Sequence, residues 1–127
     1  MSDKPADPRL ARARQELAAA ALLAANGFTA QAVSRACYAA FYAAEAALFD
    51  LGETRAKHSG VIAAFGQLLV RDGHLDQDVG RLLRSLFSRR SQADYLTEAV
   101  PTEEADQAIA DAATVVSAVE SWLGRSA

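Results

Sequence analysis

Several scarce or missing features narrow the fold of this 127-residue chain. It has one cysteine, three prolines and seven glycines, so it cannot form an intramolecular disulfide and does not have the composition of a collagen-like, linker-like or disordered protein. Its apolar stretches are rich in alanine and interrupted by charge, so we expect no membrane span. The first ten residues, MSDKPADPRL, lack the apolar core of a signal peptide. We therefore expect a cytoplasmic protein.

The signature motifs of common enzymes are also missing. The chain has no GxGxxG, P-loop or HExxH motif and no paired-cysteine zinc site. Its two histidines, His58 and His74, lie outside the periodic segments, so we expect neither a metal ion nor a cofactor. The net charge of −3 is not that of a dedicated nucleic-acid binder, although it leaves local basic patches open.

What the chain does contain is alanine, the strongest helix former, at thirty positions. The spacing of the apolar residues predicts five helices, at about residues 8–25, 29–51, 59–71, 76–95 and 102–123. Short connections between long helices favour antiparallel neighbours. The sequence therefore predicts one all-α domain, 1–127, with its core in about 8–124, folded as an up-and-down antiparallel bundle.

Polar residues mark where several of these helices begin. Asp7, before Pro8, is expected to cap the first helix and Thr29 the second, while Asp76 or Asp78 is expected to cap the fourth. Asn26-Gly27 is expected to end the first helix. The lone Cys37 lies in an apolar stretch and is interpreted as a buried structural thiol.

The second helix carries two apolar stripes. The core stripe contains Val33, Cys37, Phe41, Ala44, Leu48 and Leu51, at i+3 and i+4 spacing. A neighbouring stripe contains Arg35, Tyr38, Tyr42, Glu45 and Phe49. These aromatic residues could stack on bases, but at helical spacing they more often belong to a core or an interface. We expect Tyr38, Tyr42 and Phe49 to form the interface of a homodimer.

The end of the fourth helix brings two arginines, a carboxylate and a phenol together in the run from Arg89 to Tyr95. One interpretation is a structural ion pair between Arg90 and Asp94 at i, i+4, with the Tyr95 ring packed against the bundle. The other is a phosphate-binding arginine beside groups that move protons or are modified.

A second basic cluster precedes the third helix. It contains Arg55, Lys57 and His58, followed by Ser59-Gly60. A solvated loop and a phosphate-facing loop are both compatible with this pattern, since free N–H groups at a helix start favour anions.

Three segments together resemble the HEPN-domain family. Residues 32–48, AVSRACYAAFYAAEAAL, resemble its A-x-x-R-x-Y-Y-A-x-F-x-A-x-x-A-L helix. KHSG at 57–60 continues the match, with Phe65 and Leu68 beyond it. RSQADY at 90–95 resembles the R-x-x-A-D-Y signature of one branch. The resemblance covers most of residues 9–123 and implies an α-helical bundle.

The resemblance also implies a function. Many members are metal-independent endoribonucleases that use an R-x4-6-H motif, with two motifs brought together by dimerisation around RNA. Here the spacing from Arg90 leads to Tyr95 and no histidine follows at the required distance. We therefore assign Arg90 to the scissile phosphate, Asp94 and Tyr95 to proton handling, and Arg89, Lys57 and His58 to binding, with His58 also able to move a proton.

Small stand-alone members of the family are often encoded beside a minimal nucleotidyltransferase, and the two form a toxin–antitoxin pair. In such pairs the transferase can attach AMP to a HEPN tyrosine. The resemblance thus implies a toxin that acts on RNA, with a nucleotidyltransferase-type antitoxin as partner. The alternative is a non-catalytic nucleotide-binding or scaffold subunit for that transferase.

Overall fold

The computed structural model describes residues 7–95 and 99–126, and the described residues form five α-helices. The helices are α1 (Pro8–Ala25), α2 (Thr29–Asp50), α3 (His58–Phe65), α4 (Gln77–Tyr95) and α5 (Thr102–Leu123). A π-helical segment, Gly66–Arg71, continues α3, and a 3₁₀ turn, Gly124–Ser126, follows α5. The all-α bundle predicted from the sequence is confirmed.

Contacts between the helices fix the direction of the long ones. At one end the Thr29 hydroxyl donates to the Val100 carbonyl, and at the other Arg125 pairs with Asp50, so α2 and α5 run parallel. Cys37 of α2 contacts Leu86 of α4, and Ser34 contacts Asp94, so α2 and α4 run antiparallel. The four long helices α1, α2, α4 and α5 therefore alternate up and down, and α3 occupies the connection from α2 to α4.

Helix α2 is the centre of the bundle. Twelve of its residues are buried, and eight of these are alanine. Small side chains let neighbouring helix axes approach closely, so α2 can pack against α1, α4 and α5 at once. Phe41 and Leu48 supply the largest buried side chains of this helix. None of the helices in the described part of the chain is long and apolar enough to cross a membrane.

The ends of α1 follow the prediction, whereas the start of α2 does not. Asp7 caps α1 by accepting a hydrogen bond from the Arg9 amide at 2.8 Å. Gly27 lies in the turn between α1 and α2 and has a φ of 85°, which other residues rarely adopt. The predicted cap by Thr29 is wrong. Thr29 is the first helical residue, and its hydroxyl instead donates to Val100 at 2.6 Å, which ties α2 to the start of α5.

The third helix also differs from the prediction. It begins at His58, one residue earlier than the apolar spacing indicates, and changes to π-helical geometry at Gly66. A π turn holds more residues than an α turn, so the face that meets the bundle shifts. Leu69 is fully buried in this segment, and Val70 packs against the site of Gly80.

Candidate functional site

The last two turns of α4 carry an ion pair that is tied to α2. Arg90 Nη1 donates to Asp94 Oδ2 at 3.1 Å, and the Ser34 hydroxyl donates to Asp94 Oδ1 at 2.7 Å. The structure thus contains the i, i+4 pair that the spacing predicts. The additional hydroxyl fixes the orientation of the carboxylate, which in turn orients the guanidinium.

Tyr38 lies between two arginines that come from different helices. Its hydroxyl accepts a long hydrogen bond of 3.5 Å from Arg90 Nη1. The guanidinium carbon of Arg35 lies 4.6 Å from the centre of the Tyr38 ring, and that of Arg90 lies 5.7 Å away. An electron-rich ring face attracts such cations. Tyr38 therefore connects the family-like segment of α2, residues 32–48, to the RSQADY segment of α4, residues 90–95.

His58 reaches the same tyrosine from the start of α3. Its ring stacks on Phe41 with centroids 4.3 Å apart and meets Tyr38 edge-on at 5.7 Å. Along the chain His58 belongs to the basic loop, but in space it shares Tyr38 with Arg90. We call Arg90, Asp94, Tyr38 and His58 the Arg90 cluster.

The other members of the basic loop are not brought into this cluster. Lys57 is exposed at the residue before α3, and Arg55 pairs with Glu53 at 2.9 Å. Assignment of Lys57 to binding stays a prediction.

Arg89 faces α5, whereas its neighbour Arg90 faces α2. Its guanidinium donates to Asp111 of α5 at 2.8 Å and to the Ser85 hydroxyl at 3.0 Å. The structure therefore separates the two adjacent arginines, and the assignment of Arg89 to binding also stays a prediction.

The Tyr95 side chain is 86% exposed. The interpretation in which its ring packs against the bundle is therefore wrong. Since α4 ends at this residue, the phenol lies on the surface next to Asp94 in the chain. Its assignment to proton handling is a prediction that the geometry leaves untested.

Glu16 is a member of the neighbourhood that sequence reasoning missed. It is 5% exposed, accepts from Arg12 at 2.9 Å and accepts from Arg35 at 3.2 Å. A carboxylate between Ala13, Leu17 and Ala20 on the apolar face of α1 was the available signal. Because a buried carboxylate requires cationic partners, Glu16 holds Arg35 beside Tyr38.

The second stripe of α2 forms a ridge on which each aromatic ring carries an arginine. Arg35 lies over Tyr38, Arg12 lies 5.0 Å from the Tyr42 ring centre, and Arg9 lies 4.4 Å from that of Phe49. Tyr38 and Tyr42 are partly buried, whereas Phe49 is 52% exposed. Whether this ridge is a dimer interface stays a prediction.

Cys37 lies beneath the Arg90 cluster and is fully buried, as predicted. Its thiol donates to the Leu86 carbonyl at 2.9 Å. Burial raises the pKa of the Cys37 thiol to about 12, although the charges of Arg89 and Arg90 act in the opposite direction. The thiol therefore stays protonated at neutral pH. Among residues 7–95 and 99–126, no three His, Cys, Asp or Glu side chains are grouped so that they could hold a metal ion.

Comparison with known proteins decides the family. A family model described as the HEPN domain matches residues 6–122, almost the whole chain. The chain belongs to the HEPN family. It is 35% identical over 111 residues to "Putative toxin MJ0605" of Methanocaldococcus jannaschii, which covers 87% of this chain and 83% of the relative.

Two further relatives match shorter parts of the chain. A "UPF0332 protein" of Thermotoga maritima is 40% identical over 84 residues, 66% of this chain and 64% of that protein. "Putative toxin MJ0142" of Methanocaldococcus jannaschii is 31% identical over 96 residues, 75% of this chain and 65% of that protein.

No histidine follows Arg90 at the R-x4-6-H spacing. The motif spacing from Arg90 leads to Tyr95. In the folded protein His58 of α3 lies in the Arg90 cluster because its ring stacks on Phe41 and meets Tyr38 edge-on, and both of those residues belong to α2.

Proposed function

We propose that this protein is the toxin of a HEPN and nucleotidyltransferase pair, and that it acts on RNA in the cytoplasm. The observation that carries the proposal is the convergence of Arg90, Tyr38 and His58 from three helices. Two relatives with the word toxin in their printed names support the toxin part. The action on RNA and the pairing follow from the family resemblance and from the chemistry of the cluster.

The Arg90 cluster contains the groups that RNA cleavage by the neighbouring 2′-hydroxyl requires. The hydroxyl attacks the phosphorus while a base removes its proton, and an acid protonates the departing 5′-oxygen. Arg90 would bind the phosphate and stabilise the charge that develops on it. Histidine is the side chain most often used as general acid or base, which makes His58 the first proton-handling candidate, before Asp94 and Tyr95.

Growth arrest on induction tests this function. We expect the wild-type protein to arrest growth and Arg90→Ala to abolish the arrest, because removal of one positioned transition-state cation typically costs about 10²–10³ in rate. His58→Asn should weaken the arrest, and the RNA from arrested cells should show new cleavage ends that the Arg90→Ala cells lack.

Arg81→Ala is the matched control for this experiment. Arg81 lies on the same helix, is exposed and pairs with Asp78 one turn away, so its removal should leave the arrest intact. Well-expressed, folded wild-type protein that neither arrests growth nor cleaves RNA would contradict the proposal.

The proposed partner is an antitoxin of the nucleotidyltransferase type. The exposed phenol of Tyr95 supports this pairing, since a transferase could reach it without unfolding α4. Co-expression with such a transferase should restore growth, and intact-mass measurement should show one adenylate on the wild-type protein and none on Tyr95→Phe. Restored growth with unmodified Tyr95 would leave the pairing standing and contradict the modification.

A non-catalytic subunit is the second candidate, and two observations favour it. Arg90 is already neutralised by Asp94 at 3.1 Å, and no histidine occurs at the motif spacing. In that case Arg90→Ala would reduce affinity for the transferase or for nucleotides, and the purified wild-type protein would leave tRNA, mRNA and rRNA intact.

We further propose that the toxin is a homodimer built on the α2 ridge. Phe49 offers an exposed apolar ring there, with Arg9 stacked on it. Light scattering should give twice the 13.5 kDa chain mass for wild type, and Phe49→Glu should shift the mass toward the monomer. Leu22→Glu is the control, because Leu22 is also an exposed large apolar residue but does not belong to the α2 ridge. A wild-type monomer at high concentration would contradict the dimer.

A further inference from the structure

A groove next to the Arg90 cluster offers a second binding site. It has a volume of about 460 Å³, is open to solvent, and lies between α1, the first turns of α2 and the last turn of α4. This volume is within the range of small-ligand sites. Two small apolar residues, Ala30 and Ala93, line it together with the polar residues Gln31, Ser34 and Asp94.

We propose, on the basis of the proposed function, that this groove is a nucleobase subsite in which Asp94 selects guanine beside the phosphate bound by Arg90. Asp94 belongs to both places, because it pairs with Arg90 and also lines the groove. Arg35 is a second connection between the groove and the Arg90 cluster, because it lines the groove and lies over the Tyr38 ring. A nucleotide whose phosphate meets Arg90 therefore has a place for its base at the adjoining groove.

The polar groups of the groove match the edge of guanine. A carboxylate only accepts hydrogen bonds and has about four lone-pair sites. Asp94 uses one site on each oxygen, for Arg90 and for Ser34, so each oxygen retains a further one. Guanine presents two adjacent donors, N1–H and the 2-amino group, and can therefore fill both. Adenine and cytosine present a single amino group on the same edge, and uracil a single ring N–H.

Two further features favour a flat base as the occupant. The alanines at positions 30 and 93 leave space for a planar ring, whereas larger side chains would fill it. Gln31 is exposed and lines the groove, and its side-chain amide is of the kind that donates a hydrogen bond to the guanine O6. Because Ser34 and Arg90 already fix the carboxylate, little orientation has to be gained on binding.

The test measures binding of short oligouridine RNAs that differ only in the central nucleotide. Each RNA carries one guanosine, inosine, adenosine or cytidine, with 2′-O-methyl groups to prevent cleavage and a fluorescent label for anisotropy. The expected result is binding of the guanosine RNA roughly tenfold tighter than that of the adenosine RNA. Inosine lacks the 2-amino group and should fall between them.

Asp94→Asn should remove the guanosine preference, since an amide presents a donor where guanine also has a donor. Asp78→Asn is the matched control, because Asp78 forms a similar ion pair with Arg81 on the same helix but lies outside the groove. Both substitutions keep the side-chain size, and thermal melting checks that both variants fold. The control should retain the preference.

The outcomes separate this inference from the proposed function. Equal affinity for the four RNAs, abolished by Arg90→Ala, would overturn the guanine subsite and leave action on RNA standing. An equal loss of affinity for all four RNAs in Asp94→Asn would also overturn it, because Asp94 would then act only by orienting Arg90. No binding of any RNA by the wild-type protein would overturn both proposals.

Discussion

Arg89 and Arg90 are adjacent in the chain, yet they serve two different sides of α4. Arg89 faces α5, where Asp111 accepts its hydrogen bond and a second one from Gln107, and the Asp111 side chain is 17% exposed. Arg90 faces α2, where its partner Asp94 is 38% exposed and comes from the same helix. Consecutive residues of a helix point about 100° apart. Arg89 therefore connects α4 to α5, whereas Arg90 forms its ion pair on the side of α4 that faces α2.

Both arginines form ion pairs, and the two pairs differ in the exposure of the partner carboxylate, which is 17% for Asp111 and 38% for Asp94. Asp111 lies on α5 facing α4 and accepts hydrogen bonds from Arg89 and Gln107. Asp94 is more exposed and accepts a hydrogen bond from the Ser34 hydroxyl as well as from Arg90. We therefore expect removal of Arg89 to lower stability more, and removal of Arg90 to reduce function more.

The largest expected effect on stability is that of Arg89→Ala. It leaves the mostly buried Asp111 carboxylate with Gln107 as its remaining partner, which should lower the free energy of unfolding by about 2 to 3 kcal/mol. Arg90→Ala should cost about 1 kcal/mol, since its partner is solvated and its ring contacts are weak. Urea unfolding of the two variants gives both values.

The same pair of variants should show the reverse order in function. Arg89→Ala, tested at a temperature where it is folded, should retain growth arrest, and Arg90→Ala should not. An equal loss of stability in both variants, or loss of the arrest in Arg89→Ala alone, would contradict the division of α4 into two sides.

The second effect concerns Cys37, whose thiol is influenced by the charges of both arginines. Its thiol has a pKa of about 12 in the folded protein, raised by burial from 9.0. The contribution of the buried Cys37 thiol to the free energy of unfolding is complete below pH 9 and is lost as the pH rises toward 12. Over that interval the thiol loses its proton in the unfolded chain but keeps it in the folded protein. The slope should be about 1.4 kcal/mol per pH unit.

Comparison with Cys37→Ala isolates this slope from the other groups that titrate at high pH. Stability measured from pH 8 upward should fall more steeply for wild type than for Cys37→Ala. Parallel curves would show that the thiol does not remain protonated in the folded state.

The smallest effect on stability is expected for Tyr95→Phe. Its ring is 86% exposed, so loss of the hydroxyl should change the free energy of unfolding by no more than about 0.5 kcal/mol. The melting temperature should match that of wild type even where the variant prevents modification. A clear destabilisation would mean that Tyr95 belongs to the structural side of α4 after all.

Local rules predicted much of the fold. Apolar spacing located the long helices, Asp7 and Gly27 bounded the first of them, and the i, i+4 rule gave the pair of Arg90 with Asp94. These rules succeed because each depends on residues within one or two turns. The prediction for Thr29 failed because α2 begins one residue earlier, with Thr29 already helical, and the Thr29 hydroxyl donates to the carbonyl of Val100, which is distant in the chain.

The candidate site shows where such rules end. His58 reads as part of a basic loop, and Glu16 as one residue in an apolar stripe. Neither Tyr38 with His58 nor Glu16 with Arg35 is related by helical spacing, since each contact joins different helices. Arg89 and Arg90 form one basic motif until the packing of α4 against α2 and α5 assigns them different partners.

The sequence by itself determined an alanine-rich helical bundle of the HEPN family and the pairing of residues four apart, because helical periodicity and short-range hydrogen bonds depend on nearby residues. The tertiary structure alone decided that His58 meets Tyr38 beside Arg90, that Glu16 holds Arg35, and that Tyr95 stays on the surface. Those contacts depend on how the close packing of small alanine side chains sets the distances between helices, and this information is spread over the whole chain.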